Sequence, residues 1–160
     1  MKNNRQGKRN HYRRKKREEV DIHEKTYSNV LTRMIDKYEP DDEDWMGFKL
    51  SNNNAYTFHH IRERRAGGKE EMENGAILTR FAHQFLNYLD LHNKRAYNDY
   101  QAIFRQINKN KGPIPDDLLE DIYGMMLDMF YYNDYNISDS VLDYYEQFTY
   151  APKPKVKVKK

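Results

Sequence analysis

Basic side chains are concentrated at the two ends of this 160-residue chain, and this segregation limits where a folded core can form. Residues 1–17 carry nine Lys and Arg side chains and no acid, and residues 153–160 carry five Lys side chains. Blocks of like charge repel each other and hold too little apolar surface to fold, so we expect disordered basic arms at residues 1–19 and 151–160. We expect a single domain over residues 20–150. All 25 acidic side chains and the other 14 basic side chains lie between the two basic blocks. This part of the chain therefore has a net charge of −11.

Basic arms on an acidic body indicate capture of a polyanion. Nucleic acid is the commonest such partner, because cations that bind its phosphates release counterions. The N-terminal arm contains five consecutive or nearly consecutive candidates for phosphate contacts, Arg13, Arg14, Lys15, Lys16 and Arg17. The same pattern is typical of a solubility tail, and this alternative stays open. Charge alone does not distinguish DNA from RNA, since both present phosphates.

The chain has no cysteine, which excludes a disulfide framework, a zinc ribbon and a thiol nucleophile. No apolar run approaches the ~20 residues needed to cross a bilayer, and no apolar stretch follows the basic N-terminus as in a secretory signal. We therefore expect a cytoplasmic protein without a membrane partner. The Asn-, Lys- and Tyr-rich composition is compatible with an origin in a phage or another mobile element.

The spacing of apolar residues predicts an α+β, mostly α domain in which a short hairpin is embedded among helices. Predicted helices cover residues 20–38, 77–91, 96–108, 116–132 and 138–148. Between the first two helices, β-forming residues predict a hairpin in which residues 48–51 pair with residues 56–60 across a turn of three Asn residues. A polar loop over residues 62–73 connects this hairpin to the second helix.

Three histidines around this loop are the residue types of a metal-dependent hydrolytic site. Adjacent strand residues point to opposite faces of a sheet, so His59 and His60 cannot perform the same task. If the helix that carries His83 packs back on the hairpin, His83 and one of the paired histidines can share a cation. The other histidine can then accept a proton from water, since a neutral imidazole near pH 7 is a suitable general base.

This stretch resembles the HNH endonuclease motif. That family has a His-His or Asp-His pair on a strand, a glycine-containing loop, an Asn, eight further residues and a final His. The matching positions here are His59-His60, Gly67-Gly68, Asn74 and His83. The resemblance implies a ββα-metal fold, placed at about residues 45–92, that hydrolyses phosphodiester bonds of DNA.

The resemblance also implies a role for each matched residue. His59 and His83 would hold one divalent cation (Mg²⁺, Mn²⁺, Zn²⁺ or Ni²⁺), and His60 would be the general base that activates water. Asn74 would fix the loop, orient the base or approach the metal. Four basic side chains would border the site and hold a phosphate or stabilise the transition state: Arg62, Arg64, Arg65 and Lys69.

The chain departs from the family pattern in two ways. Many members carry Cys pairs that bind a structural zinc around the motif, and this chain has no cysteine. Some members place another His four residues after the final His, where this chain has Asn87, a weak metal ligand on the same helical face as His83. His92 is nine residues after His83, about half a turn away around a helix, and is not counted as a ligand.

The helical C-terminal part, at about residues 96–148, raises an objection to a DNA-binding enzyme. Residues 116–150 carry nine acids and no Lys or Arg, so a duplex would be repelled from this surface. This part therefore faces away from nucleic acid, or it binds something basic such as an arm of the same or a neighbouring chain. The alternative function is a catalytically inactive, HNH-derived nucleic-acid-binding or assembly protein, whose acidic Tyr-rich helices at residues 116–148 contact a protein partner or a second copy.

Overall fold

The computed structural model describes residues 21–110 and 112–150. The predictions for the two basic arms, including the phosphate contacts assigned to residues 13–17, lie outside the described residues. The described chain is mostly helical with one small antiparallel sheet, so the coarse prediction of an α+β, mostly α fold is confirmed. No helix among the described residues is long and apolar enough to cross a membrane.

Six α-helices and two strands follow one another along the described chain. They are α1 (Asp21–Glu24), α2 (Asn29–Tyr38), β1 (Tyr56–His60), β2 (Gly75–Thr79), α3 (Arg80–His92), α4 (Lys94–Asn110), α5 (Asp116–Leu127) and α6 (Asp139–Glu146). Two single-turn 3₁₀ helices, Arg64–Ala66 and Met72–Asn74, lie in the loop between the strands, and a π-helical turn, Asp128–Tyr132, continues α5. Each predicted helix thus has a counterpart, although the first is split and the second begins later.

The predicted pairing of the hairpin is wrong. The strand β1 pairs with β2 rather than with residues 48–51, and His59 lies opposite Ala76 while His60 lies opposite Gly75. Every residue of β2 is buried, so its sequence does not alternate between apolar and polar residues. Such an apolar run is equally typical of the first turn of a buried helix. Residues 48–51 make only isolated bridges, one of which joins Phe48 to Thr149.

The helix α3 begins at Arg80 because Thr79 ends the strand and caps the helix. The Thr79 backbone is extended, and its Oγ1 accepts a hydrogen bond from the backbone N–H of Ala82 at 3.3 Å. The boundary predicted at Ile77 is therefore wrong by three residues. This sharp change from strand to helix puts His83 in the first turn of α3, directly after the hairpin.

A single apolar core holds the hairpin between helices. The helices α3 and α4 pack against the sheet and each other, α2 contacts β2, and α5 packs against α4. Large side chains without solvent exposure fill the space, among them Trp45, whose ring meets that of Tyr38 edge-on at 4.9 Å. Burying an aromatic side chain of this size stabilises the fold by about 2–3 kcal/mol.

A buried carboxylate ties the segment before the hairpin to the start of α3. Asp44 has no solvent exposure, and its Oδ1 accepts hydrogen bonds from the backbone N–H groups of Met46 and Phe48 at 2.8 and 3.0 Å. Its Oδ2 accepts from the backbone N–H and the hydroxyl of Thr79, both at 2.7 Å. Four donors on one carboxylate fix the junction between β2 and α3 and so the position of His83.

Candidate metal centre

Two imidazoles from different elements meet on one face of the hairpin. His59 and Thr57 share a face of β1, because alternate strand residues point the same way, and α3 covers this face. The rings of His59 and His83 are perpendicular, with centroids 5.4 Å apart. His59 is 6% exposed, and His83 is half-buried. The structure therefore brings together the two residues for which a shared cation is predicted.

Each of these imidazoles uses one ring nitrogen in a hydrogen bond to a polar side chain. His59 Nε2 lies 2.7 Å from Gln101 Oε1, and His83 Nδ1 lies 3.1 Å from Thr57 Oγ1. The other nitrogens, Nδ1 of His59 and Nε2 of His83, make no hydrogen bond to any described residue. An imidazole that is held at one nitrogen and open at the other is the usual arrangement of a histidine that binds a metal.

Both imidazoles are held in the neutral form that a metal requires. Burial lowers the pKa of His59 to about 4, an effect that the hydrogen bond to Gln101 opposes and that the positive charge of a protonated His83 or His60 increases. Burial also lowers the pKa of His83, and His60 lowers it further. At neutral pH the two rings therefore offer lone pairs rather than positive charge, and the donor set fits a divalent cation.

The protein supplies only part of a coordination shell in this place. Within the ranges that the structure covers, no group of three or more His, Asp or Glu side chains is arranged to hold a metal ion. Asn87, one turn after His83, is exposed, and His92 lies against the ring of Tyr88 at 4.5 Å between ring centroids. A cation on His59 and His83 would therefore complete its shell with water and substrate oxygens, as hard cations such as Mg²⁺ and Mn²⁺ do.

His60 lies on the opposite face of β1 from His59. Its ring meets that of Phe58 edge-on at 4.8 Å, and it is partly exposed to solvent. The Nε of Arg64 donates a hydrogen bond to His60 Nε2 at 3.4 Å. Partial burial lowers the pKa of His60, Arg64 lowers it further, and Glu70 acts in the opposite direction. His60 is therefore neutral at pH 7, with a lone pair on the nitrogen that accepts from Arg64.

Asn74 closes the loop between the strands. Its Oδ1 accepts from the backbone N–H of Arg62 at 2.7 Å, and its Nδ2 donates to the backbone carbonyls of Arg62 and Lys69, each at 3.0 Å. The backbone N–H of Ile61 also donates to the carbonyl of Asn74 at 2.9 Å. Of the three roles that the resemblance implies for Asn74, these contacts correspond to fixing the loop that follows His60.

Close packing of the loop explains one of its two glycines directly. A Cβ on Gly68 would lie 1.7 Å from the carbonyl oxygen of Arg62, so only glycine lets the chain pass there. Gly67 has a φ of +86°, a left-handed conformation that glycine adopts at little cost. The loop is thus compact and holds its backbone next to His60.

The four predicted phosphate-binding side chains all lie exposed on this loop: Arg62, Arg64, Arg65 and Lys69. Arg64 reaches His60, and Arg65 makes an exposed contact to Glu63 at 3.4 Å, which contributes little to stability. The loop also carries Glu63, Glu70, Glu71 and Glu73, so its net charge is zero, and the four cations can act on an anion only locally.

Sequence reasoning missed Gln101 and Thr57, the two residues that hold the imidazoles. Gln101 is 4% exposed and lies on the buried face of α4 between Tyr97 and Phe104. A polar residue at a core position of an amphipathic helix is the signal that could have found it, because a buried amide needs partners. Thr57 carried no such signal, since threonine is common in strands.

Comparison with protein families, with curated proteins and with solved structures finds no match to this chain.

Proposed function

We propose that this protein is a metal-dependent, HNH-like endonuclease that hydrolyses phosphodiester bonds of DNA. The observation that supports the proposal is the pair of perpendicular neutral imidazoles, His59 and His83, each with one nitrogen open. The neighbouring His60 adds a neutral base, which lies on the opposite face of β1 from His59 but close enough to His83 to lower its pKa, beside four exposed cationic side chains. The order of strand, loop, strand and helix around these residues is also the order in a ββα-metal motif.

In this proposal His59 and His83 hold one divalent cation, Mg²⁺, Mn²⁺, Zn²⁺ or Ni²⁺. When bound, the cation supplies Lewis-acid stabilisation of charge on the scissile phosphate and the leaving 3′ oxygen. Gln101 and Thr57 keep the two rings in place.

His60 takes the proton from the attacking water on Nε2, the nitrogen that carries the lone pair. Arg64 donates to this nitrogen in the free protein, at a distance long enough for a weak bond. A phosphate that enters beside the loop offers the Arg64 guanidinium a stronger, charge-assisted partner, and His60 Nε2 is then free to accept a proton. Arg62, Arg65 and Lys69 hold the backbone phosphate by charge.

The basic arms raise the affinity for DNA in this proposal. Arg13, Arg14, Lys15, Lys16 and Arg17 contact backbone phosphates without reading bases, as does the Lys-rich C-terminal tail. We expect little sequence specificity, because backbone contacts position a protein on DNA but carry no direct information about bases.

The charge of the C-terminal helices favours a second candidate from another class. Residues 116–150 hold nine acids and no Lys or Arg, which suits a basic protein partner better than a duplex. The protein would then be a catalytically inactive, HNH-derived nucleic-acid-binding or assembly protein. It would bind nucleic acid through its arms and a protein through the acidic, Tyr-rich surface.

A plasmid-nicking assay distinguishes the two candidates. Supercoiled DNA is incubated with each of Mg²⁺, Mn²⁺, Zn²⁺ and Ni²⁺ and with wild type, His60→Ala or His92→Ala, the last being an exposed histidine outside the site. We expect nicking by wild type and His92→Ala, and a loss of about 10²–10⁴-fold in His60→Ala. Retained DNA binding without cleavage under any metal supports the assembly protein instead. A parallel RNA substrate shows which nucleic acid is cut.

A further inference from the structure

We propose that Gln101 is a positioning residue that selects the tautomer of His59 and thereby leaves the Nδ1 lone pair of His59 free for a divalent cation. The inference rests on the metal centre of the proposed function, and it assigns a role to a residue on α4, outside the strand, loop and helix of the motif.

The orientation of the Gln101 amide is fixed by a backbone carbonyl. Gln101 Nε2 lies 2.7 Å from the carbonyl oxygen of Ile61, which can only accept a hydrogen bond. The NH₂ group of the amide must therefore face Ile61, and the amide oxygen must face His59. The two hydrogen bonds that link Ile61, Gln101 and His59 can have only one donor–acceptor order, because the carbonyl oxygen of Ile61 cannot donate.

The amide oxygen in turn fixes the proton on His59. Gln101 Oε1 lies 2.7 Å from His59 Nε2 and can only accept, so Nε2 must carry the hydrogen. A neutral imidazole has a single N–H, and Nδ1 of His59 is then an acceptor. The backbone carbonyl of Ile61 thus determines, through Gln101, which nitrogen of His59 carries the lone pair.

The same reasoning gives the opposite tautomer for His83. The Thr57 hydroxyl has one hydrogen, and it donates this hydrogen to the backbone carbonyl of Leu78 at 2.9 Å. Thr57 Oγ1 must then accept from His83 Nδ1, 3.1 Å away, and Nε2 of His83 carries the lone pair. Two different tautomers, chosen by two different partners, leave both rings as acceptors at their open nitrogens.

Two nitrogens that are both acceptors cannot hydrogen-bond to each other. A pair of core histidines with only a structural role would gain most from one N–H donating to the other ring, because buried polar groups are normally paired. Here Gln101 and Thr57 prevent that bond, although the ring centroids are only 5.4 Å apart. In metal-binding histidines, one ring nitrogen binds the metal and the other donates a hydrogen bond to an acceptor. That hydrogen bond sets the orientation and the basicity of the ring, and His59 and His83 each make such a bond.

Imidazole ¹⁵N NMR of the metal-free protein tests the tautomers directly, and titration with Zn²⁺ alone tests their use. We expect Nε2–H in His59 and Nδ1–H in His83, and Zn²⁺ should perturb Nδ1 of His59 and Nε2 of His83. Calorimetry should show a 10–100-fold weaker Zn²⁺ affinity in Gln101→Leu. Gln106→Leu, the same substitution at an exposed position of α4, should bind like wild type.

Gln101→Glu keeps an acceptor next to His59 Nε2, and its carboxyl can still donate to the Ile61 carbonyl when it is protonated, so it should retain the Nε2–H tautomer and bind Zn²⁺ more tightly than Gln101→Leu. This variant also decides the question if Gln101→Leu does not fold. Nδ1–H in wild-type His59, equal Zn²⁺ affinity in wild type and Gln101→Leu, or Zn²⁺ shifts at neither open nitrogen would each overturn the inference. Dependence of Zn²⁺ binding on Gln101 without any nicking would support the inference and contradict the proposed nuclease.

Discussion

At the scale of single residues, the proposed chemistry depends on how Arg64 and His60 share one hydrogen bond. The contact is long and exposed, so it costs little to break, but the positive charge of Arg64 still helps to keep His60 neutral. A base that is neutral at pH 7 and lies beside a movable cation is prepared for a substrate that brings a phosphate.

Replacing Arg64 by Ala should raise the pKa of His60, because the charge that disfavours the imidazolium is removed. A general base works in its deprotonated form, so the acid limb of the pH–rate profile should move to higher pH. Histidine NMR titration and nicking rates between pH 5 and 8 measure the two effects. Arg65→Ala, an exposed neighbour without contact to His60, should leave the pKa unchanged, and an equal shift in both variants would contradict this account.

Asp44 gives a second prediction at this scale. Burial raises the pKa of its carboxyl to about 6 from the ordinary 3.8, although four hydrogen bonds to the carboxylate lower it. Between these two values the folded state binds more protons than the unfolded state, so Asp44 makes the fold less stable as pH rises from about 4 to about 6. The difference corresponds to about 3 kcal/mol.

Asp44→Asn removes this dependence. The free energy of unfolding of wild type minus that of Asp44→Asn should therefore fall by about 2 kcal/mol between pH 4 and pH 7, while other titrating groups cancel in the difference. Urea unfolding of both proteins at the two pH values measures it. A difference that is constant with pH, or that rises, would show that hydrogen bonding rather than burial dominates the carboxylate.

At the scale of elements, the loop between β1 and β2 is the part on which the site depends most. Asn74 holds it through three side-chain hydrogen bonds, and the chain passes so close to the carbonyl of Arg62 at Gly68 that no Cβ fits there. The backbone that follows His60 is therefore fixed by residues that do not take part in chemistry.

Gly68→Ala should destabilise the protein by about 2–3 kcal/mol, because the added Cβ would lie 1.7 Å from a backbone oxygen and the loop must shift. Gly124→Ala is the matched control. Its Cβ would meet nothing within 4 Å on α5, and alanine in a helix is favoured over glycine by up to about 1 kcal/mol. Thermal unfolding should show a lower Tm for the first variant and a higher Tm for the second, and a Gly68→Ala protein as stable as wild type would contradict the packing described.

An element can be predicted from the sequence when only one of its faces is buried, and not when all of its residues are buried. The helices α4 and α6 follow from apolar spacing, because one face of each is buried and the other is solvated. The strand β2 does not, since all of its residues are buried and no alternation distinguishes Gly75–Thr79 from the start of a helix. For the site, residue types and spacing indicated His59, His60 and His83. The partner of His59 could not be predicted, because Gln101 is 42 positions away in the sequence and such a contact leaves no local pattern.

At the scale of the whole molecule, the acidic C-terminal helices differ from the loop beside His60, in which four cations are balanced by four Glu side chains. Arg62, Arg64, Arg65 and Lys69 are exposed together, while residues 116–150 contain no Lys or Arg. A polyanion is therefore repelled from the C-terminal helices and meets no net repulsion at the loop, which favours contact at the loop.

Removing residues 1–17 deletes nine cations and should weaken DNA binding. It should also flatten the dependence of log Kd on log salt concentration by several units, since each phosphate contact contributes about 0.9 to that slope. Fluorescence anisotropy with a labelled duplex at several salt concentrations measures both. An unchanged affinity and slope would show that residues 1–17 do not contact DNA.

Anomalous diffraction from crystals grown with Zn²⁺ shows whether His59 and His83 bind one cation through their open nitrogens. We expect one anomalous peak at about 2.0–2.2 Å from both His59 Nδ1 and His83 Nε2, with Gln101 still bonded to His59 Nε2. A Zn²⁺ ion found only elsewhere on the protein, or an ordered water between two unmetallated rings, would contradict it.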